Sequence, residues 1–267
     1  MTRRAFDPEQ PIDRPVRAGA ELLGAGVWAS GVWDLAQLRS FEHAAARGMD
    51  LGTPFAAAVR ADALLRAPQV IDSLEASGCE ELHVDFDSLG PADDPRAEQL
   101  TELVEALRAR GLRIHGAFTL GQDHDDAGSF ERLVEWVEAR RLASVSLRLW
   151  TPDPGSALVR ELARADRVRH RDLRRWDGAH VVVAPANMSA QTLYRGWVWA
   201  RRQLSSITSI WRRRPTTLAE LPGYLWASVC ATLAPSTACA RARARLLPAR
   251  GASFDSNPRG SGLVFLR

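Results

Sequence analysis

The chain has 267 residues, of which 46% are hydrophobic and 25% are charged, and its formal net charge is +3. These proportions are ordinary for a folded globular protein, and so small a net charge does not indicate nucleic acid binding. Lysine is absent, which excludes chemistry such as Schiff-base formation that requires a lysine side chain. Three scattered cysteines predict no disulfide framework, and the first 20 residues lack an apolar signal core. We therefore expect a cytoplasmic protein with no membrane span and no nucleic acid partner.

Strand-like and helix-like segments alternate along most of the chain. Strands are predicted where apolar residues alternate with polar ones or form a short apolar run, at 27–33, 55–59, 82–86, 114–120 and 145–149. Helices are predicted where apolar residues recur every three or four positions, at 35–46, from Pro68 to Gly78, at 100–111, from Ser129 and from Ser156. This alternation indicates βαβ units and a parallel sheet. We expect an α/β protein built as a partial (β/α) TIM-like barrel, with an open doubly wound sheet as the alternative.

The part of the chain after residue 188 has a different character. Ser189 is placed to cap one long helix that ends before Pro215, and this helix carries arginine and tryptophan side chains. We expect it to close the barrel with a solvated arginine face rather than to bind nucleic acid or an anionic membrane. The predicted organisation is a loose lead-in over 1–20, a partial barrel over 21–188, a C-terminal helical extension over 189–235 and a disordered tail over 236–267.

The alternating strands also predict which side chains face the ligand site. In a β/α barrel that site lies at the C-terminal ends of the strands. If the apolar residues of 82–86 face the helices, His83 and Asp85 point inward, and His115 and Arg148 do so from the following strands. Burying polar side chains in a barrel interior costs free energy unless they are paired or hydrated. These four residues are therefore candidates for substrate binding, with an internal salt-bridge network as the alternative.

Several short motifs follow one another in a fixed order from about residue 53 to residue 215. A strand reading D-F-D-S ends at Ser88, a G-x-F-x-x-G-x-D-x-D pattern covers 116–125, and T-P-x-P-G-S covers 151–156. A W-D-G-x-H-V-V segment follows at 176–182. In this order and spacing the motifs resemble the later strands of radical S-adenosylmethionine (SAM) enzymes, closest to the cobalamin-binding branch. In that branch the first motif reads G-F-E-S.

The resemblance implies contacts with SAM at the ends of two strands. The residues at the matching positions are Asp87, Ser88, Gly116, Gly121 and Asp123. No residue is assigned a catalytic role. The run from Asp123 to Asp126 is interpreted as a polar loop, so we expect no metal site there.

The resemblance also implies a four-iron four-sulfur cluster and cobalamin, which the sequence does not support. The cluster of that family needs C-x-x-x-C-x-x-C, and Cys79, Cys230 and Cys239 have no such spacing. We therefore expect a degenerate radical SAM-like protein that binds SAM or a substrate without radical chemistry. One alternative is a truncated part or subunit of a cobalamin-type radical SAM enzyme. The other is a non-catalytic partner subunit or homo-oligomer that associates through the exposed barrel edge.

Overall fold

The computed structural model of the protein describes residues 27–28, 32–47, 54–91, 93–215, 221–222 and 224–225. The predicted lead-in over 1–20 and tail over 236–267 lie outside these residues. The elements, in chain order, are β1 (Val27–Trp28), α1 (Leu35–Ala46), β2 (Phe55–Arg60), α2 (Ala61–Arg66), α3 (Val70–Ala76), β3 (Cys79–Asp87), α4 (Arg96–Ala109), β4 (Arg113–Leu120), α5 (Ser129–Arg140), β5 (Ser144–Leu149), α6 (Ala157–Arg164), a short 3-10 helix (Leu173–Arg175), α7 (Ala190–Leu204) and α8 (Ile207–Arg212).

The five strands form one parallel sheet in the order β1-β2-β3-β4-β5. The expected α/β class is confirmed, and because the order never reverses, the doubly wound alternative is not what forms. Barrel closure is not observed either, since the sheet of the described residues is open. Part of the outer edge of β5 is already occupied: the Leu149 amide donates to the Gly178 carbonyl (2.7 Å), and the Trp197 indole donates to the Leu147 carbonyl (3.1 Å).

The two faces of the sheet differ sharply in character. Right-handed crossovers that always step in the same direction place their helices on one face. On that helix-covered face the rings of Phe86 and Phe118 stack 4.9 Å apart, and Trp136 meets both edge-on. The other side, which we call the open face, carries the polar residues of the strands. On β3, β4 and β5 its members are Glu81, His83, Asp85, His115, Thr119, Ser144, Ser146 and Arg148.

This division confirms the predicted orientation of the strand residues. Leu82, Val84 and Phe86 are fully buried, whereas His83 and Asp85 between them retain partial exposure. The side-chain period of two in a strand is enough to produce this result.

Serine residues stand at the starts of three helices. The predicted cap at Ser189 is confirmed, because its hydroxyl accepts a hydrogen bond from the Thr192 amide at 3.0 Å. Ser156, from which the sequence predicted a helix, acts as an N-cap as well, and its hydroxyl accepts from the Val159 amide at 3.3 Å. The helix predicted from Ser129 begins at that residue, so Ser129 lies inside α5 and does not cap it; its amide donates to a carboxylate oxygen of Asp126 at 2.9 Å.

The single long helix predicted after Ser189 is also wrong, because the chain forms two helices, α7 and α8. Ser206 interrupts the first by capping the second, since its hydroxyl accepts from the Ser209 amide at 3.1 Å. The buried Arg213 guanidinium then donates to the Leu204 carbonyl (2.6 Å) at the end of α7 and to the Leu142 carbonyl (3.2 Å). Within the described part of the chain, no helix combines the length and apolar character needed to cross a membrane.

Close packing of α7 against α5 gives a prediction about Gly196. A Cβ atom at this position would overlap the buried ring of Phe130. Alanine is the better helix former by about 1 kcal/mol. Even so, we expect Gly196→Ala to lower the free energy of unfolding by roughly 1–3 kcal/mol because of overpacking.

Urea denaturation would measure this change. The matched control is the double variant Gly196→Ala/Phe130→Leu, compared with Phe130→Leu alone. Without the ring there is less to overlap, so Gly196→Ala should lower the free energy of unfolding by less than it does in the parent. A Gly196→Ala protein as stable as the parent would show that the ring moves aside freely.

Candidate functional site

The polar side chains at the ends of β3 and β4 form the strongest candidate site, which we call the C-terminal edge site (Asp85, Asp87, Ser88, Gln122 and His124). Asp87 has a φ of 59°, a left-handed conformation that is uncommon outside glycine. The pairing of β3 with β4 shifts register between Asp85 and Asp87. The Asp87 amide donates to Asp85 Oδ1 at 3.3 Å, and the Gln122 side-chain amide donates to Asp87 Oδ1 at 2.9 Å. The Asp87 carboxylate is therefore held by its neighbours in a backbone conformation that costs free energy.

Ser88 and His124 form the second part of this site. The Ser88 hydroxyl lies 2.6 Å from His124 Nε2 and accepts a hydrogen bond from the Gly90 amide at 2.9 Å. Because the Gly90 amide is the donor to this hydroxyl, the hydroxyl proton is available for the imidazole nitrogen. Arg96 supports the segment by donating to the backbone carbonyls of Ser88 (2.8 Å) and Phe86 (3.1 Å).

Asp125 is the residue that organises the loop beneath His124, and sequence reasoning did not place it in the site. Its side chain is almost fully buried, and Oδ2 accepts from the amides of Gly121 (2.7 Å) and Gln122 (3.0 Å). Desolvation by burial raises the pKa of Asp125. The available signal was the last aspartate of the G-x-F-x-x-G-x-D-x-D pattern, four residues after Gly121.

Gly121 and Asp123, two predicted cofactor contacts, have roles within this loop. Gly121 has a φ of 98°, and a Cβ there would lie 2.6 Å from a methyl carbon of Leu193. Asp123 pairs with Arg167 through both carboxylate oxygens, and this pairing lowers the pKa of Asp123. The Asp123 carbonyl also accepts from the Asn187 side chain at 2.7 Å. Asp123 thus fastens two later segments to the strand ends.

Gly116, the remaining predicted cofactor contact, is not brought to the C-terminal edge site. It lies on the helix-covered face, where a Cβ would be 2.8 Å from Leu142 and 2.9 Å from the Phe118 ring. The absence of a side chain at Gly116 is explained by packing against these two residues.

The four predicted substrate-binding residues all lie on the open face, but in two groups. Asp85 belongs to the C-terminal edge site and Arg148 is adjacent to it, with 3.5 Å between guanidinium and carboxylate. His83 and His115 lie nearer the starts of their strands, with ring centroids 4.4 Å apart and nearly parallel planes. Burial, with a smaller contribution from His115, lowers the pKa of His83 to about 4.

The cysteine chemistry of the described residues does not fit an iron-sulfur cluster. Cys79 is buried at the start of β3, and desolvation raises the pKa of its thiol to about 12. A cluster ligand must be a thiolate, which this environment disfavours. Cys230 and Cys239 lie outside the described residues.

Comparison with known proteins gives one distant relationship. No protein-family model matches the chain. Over 156 residues it is 27% identical to bacteriochlorophyllide d C-12(1)-methyltransferase of Chlorobaculum tepidum. The aligned segment covers 56% of this chain and 34% of that protein, so the chain spans about a third of the length of its curated relative.

These comparisons correct the assignment to the radical SAM superfamily and its cobalamin-binding branch. No radical SAM model matches, and the name of the relative is that of a methyltransferase and mentions neither radical nor cobalamin chemistry. The function expected from that family, whether as a degenerate homologue or as a truncated radical enzyme, is withdrawn for the same reason. Cobalamin and the cluster have no support, whereas SAM binding is compatible with a methyltransferase relative.

The two amides held by Asp125 give a prediction for this loop. Asp125→Ala leaves both buried N–H groups without an acceptor, and we expect a loss of about 1–3 kcal/mol in the free energy of unfolding. Asp125→Asn retains one acceptor oxygen and should lose less. Urea denaturation at neutral pH, with the exposed Asp93→Asn as control, would measure both variants; equal losses for alanine and asparagine would contradict the assigned role.

The raised pKa of Asp125 adds a pH dependence with a defined sign. The folded state binds the Asp125 proton more tightly than the unfolded state does. The free energy of unfolding of the parent, relative to that of Asp125→Asn, should therefore rise as the pH falls through the pKa that Asp125 has in the folded state. It should level off below the pKa that Asp125 has in the unfolded state. Urea denaturation of the parent and Asp125→Asn across the acidic range would show it; a difference that is independent of pH, or that falls with acidity, would contradict it.

Proposed function

We propose that this chain is a SAM-dependent methyltransferase, or a segment of one, that binds its methyl donor at the C-terminal edge site. The relative named as a methyltransferase supports the reaction class. The position of the site supports the assignment, because ligands of α/β proteins bind beyond the carboxyl ends of parallel strands. The chain spans only a third of its relative, so activity and substrate are both part of the proposal.

The observation that carries the proposal is the held carboxylate of Asp87. Backbone strain at a non-glycine residue persists where the surroundings impose it, and such positions cluster at functional sites. Here the Gln122 amide and the Asp85 carboxylate hold the strained residue in place. SAM carries a cationic sulfonium, an ammonium group and two ribose hydroxyls, all of which a carboxylate can bind.

The remaining residues of the site supply what a methyl transfer requires. The acceptor attacks the methyl carbon, the bond from that carbon to the sulfonium sulfur breaks, and S-adenosylhomocysteine is released. An acceptor that carries a proton must also lose it. His124, partly exposed and hydrogen-bonded to Ser88 through Nε2, would take up the Ser88 hydroxyl proton as that hydroxyl receives the proton of the acceptor.

The acceptor of the relative is, by its name, a bacteriochlorophyllide. We extend this proposal to a tetrapyrrole-type acceptor for the present chain. Such a molecule needs a surface next to the donor, and we assign that role to the open face beside Asp85, whose strand residues are partly exposed. Arg148, with a half-exposed guanidinium on that face, would pair with an anionic group of the acceptor.

Calorimetry with SAM and with S-adenosylhomocysteine would test the proposal. We expect the purified chain to bind both, and Asp87→Ala to weaken SAM binding at least tenfold. Asp87→Asn keeps the shape of the side chain but removes its charge. It should weaken the binding of SAM more than the binding of S-adenosylhomocysteine, because only SAM is a sulfonium. Asp72→Asn on the exposed side of α3 is the control. No binding by the parent chain, or unchanged binding by Asp87→Ala, would overturn the proposal.

Association through a free sheet edge stays a prediction. Part of the β5 edge is occupied by Gly178 and Trp197, as described above. Sedimentation of the purified chain would measure its state of association. A strictly monomeric chain would count against this expectation.

A further inference from the structure

A second polar cluster on the open face is distinct from the C-terminal edge site. Glu81 and His83 on β3 and His115 on β4 offer one ligand atom each, and all three atoms lie within 4.8 Å of one another. His83 lies two residues before Asp85, the nearest member of that site, which corresponds to roughly 7 Å along the strand, and Glu81 precedes Asp87 by six residues, or roughly 20 Å. We propose that this cluster, which we call the histidine cluster, is a binding site for a divalent transition-metal ion of the zinc type. The inference does not rest on the proposed methyl transfer.

Strand register brings the cluster together. His83 and His115 are direct partners in the parallel pairing of β3 and β4, and Glu81 lies two residues before His83 on the same face. Side chains on one face of paired strands are close enough to share a ligand. All three are positioned by rigid strands and not by loops, which keeps the donor atoms near one another.

The distances suit a small ion. Zinc binds imidazole nitrogen and carboxylate oxygen at about 2.0–2.2 Å, so ligand atoms of a tetrahedral site lie about 3.4 Å apart. The distance from His115 Nε2 to Glu81 Oε2 is 3.7 Å. With three protein ligands, the fourth position would hold water.

The ring orientation requires one adjustment. The two imidazole planes are inclined by only 12°, and nitrogen lone pairs lie in the ring plane. One ring must therefore turn about χ2 before the two nitrogens converge on one ion. We expect the His83 ring to turn, because a hydrogen bond to Ser144 holds His115, and the χ2 torsion of histidine has a broad energy minimum.

Neighbouring groups already orient two of the three ligands. His115 Nδ1 lies 2.7 Å from the Ser144 hydroxyl on β5, which leaves Nε2 on the side of Glu81. A hydrogen bond at the other ring nitrogen is the usual arrangement for a metal-binding histidine. Arg113 approaches Glu81 Oε1 at 3.1 Å and leaves Oε2 toward His115.

Arg113 also indicates which ions the site would select. Its positive charge compensates the carboxylate, so the attraction of the site for a cation depends mainly on the imidazole nitrogens. Zinc and cobalt bind imidazole well, whereas magnesium and calcium require several oxygen ligands. We therefore expect Zn²⁺ and Co²⁺ to bind and Mg²⁺ and Ca²⁺ not to compete.

Equilibrium dialysis with Zn²⁺ and visible spectroscopy with Co²⁺ would test the site on the full chain near neutral pH. We expect one ion per chain, cobalt d–d bands typical of a site with few ligands, and no displacement by excess Mg²⁺. Glu81→Gln, His83→Gln and His115→Gln should each weaken Zn²⁺ binding at least tenfold. His43→Gln and His180→Gln, which remove exposed histidines elsewhere, are the controls.

A thermal melt with and without Zn²⁺ separates loss of the site from loss of the fold. A bound ion joins β3 to β4 and should raise the midpoint of the parent and of both controls, but not that of the three cluster variants. Circular dichroism would show that each variant is folded. Absence of stoichiometric uptake by the parent, or uptake that survives His83→Gln and His115→Gln, would overturn the proposal and leave the cluster as a polar network.

Discussion

The structure depends on the burial of one face of a parallel sheet against the helices that connect its strands. Phe86, Phe118 and Trp136 form the aromatic centre of that interface, and aliphatic residues of α4 and α5 surround it. Since every crossover steps in the same direction, the buried apolar residues of β3, β4 and β5 fall on one side. The opposite face is thereby left for side chains that are polar, ionisable and able to bind ligands.

The C-terminal edge site follows from how the two central strands end. β3 ends in a strained Asp87, and β4 ends at Gly121 in a loop closed by the buried Asp125. The loop presents Gln122 to Asp87 and His124 to Ser88. Loop closure and strain are therefore linked through Gln122: its backbone amide is held by Asp125, and its side chain holds the Asp87 carboxylate.

The sequence motifs were informative about geometry and misleading about family. Gly116 and Gly121 matched a cofactor-binding pattern, yet their close neighbours are Leu142 and Leu193 respectively. Glycine at these positions is required by packing and by a left-handed turn, and both requirements arise in many β/α proteins. Hydrophobic periodicity predicted the order of strands and helices correctly, while the radical SAM assignment drawn from the motifs is corrected by the comparisons.

The sequence by itself determined the α/β class, most of the helices and strands and the faces of the strands, because these follow from periodicity between near neighbours. It also predicted the cap at Ser189, which depends on residues three positions apart. Only the tertiary structure decided that the sheet stays open, that α7 and α8 are separate, and that Glu81, His83 and His115 meet. Each of these outcomes depends on contacts between segments that are distant in the sequence. Examples are the pairing of β3 with β4 and the hydrogen bond from Trp197 to the edge of β5, and no local pattern specifies them.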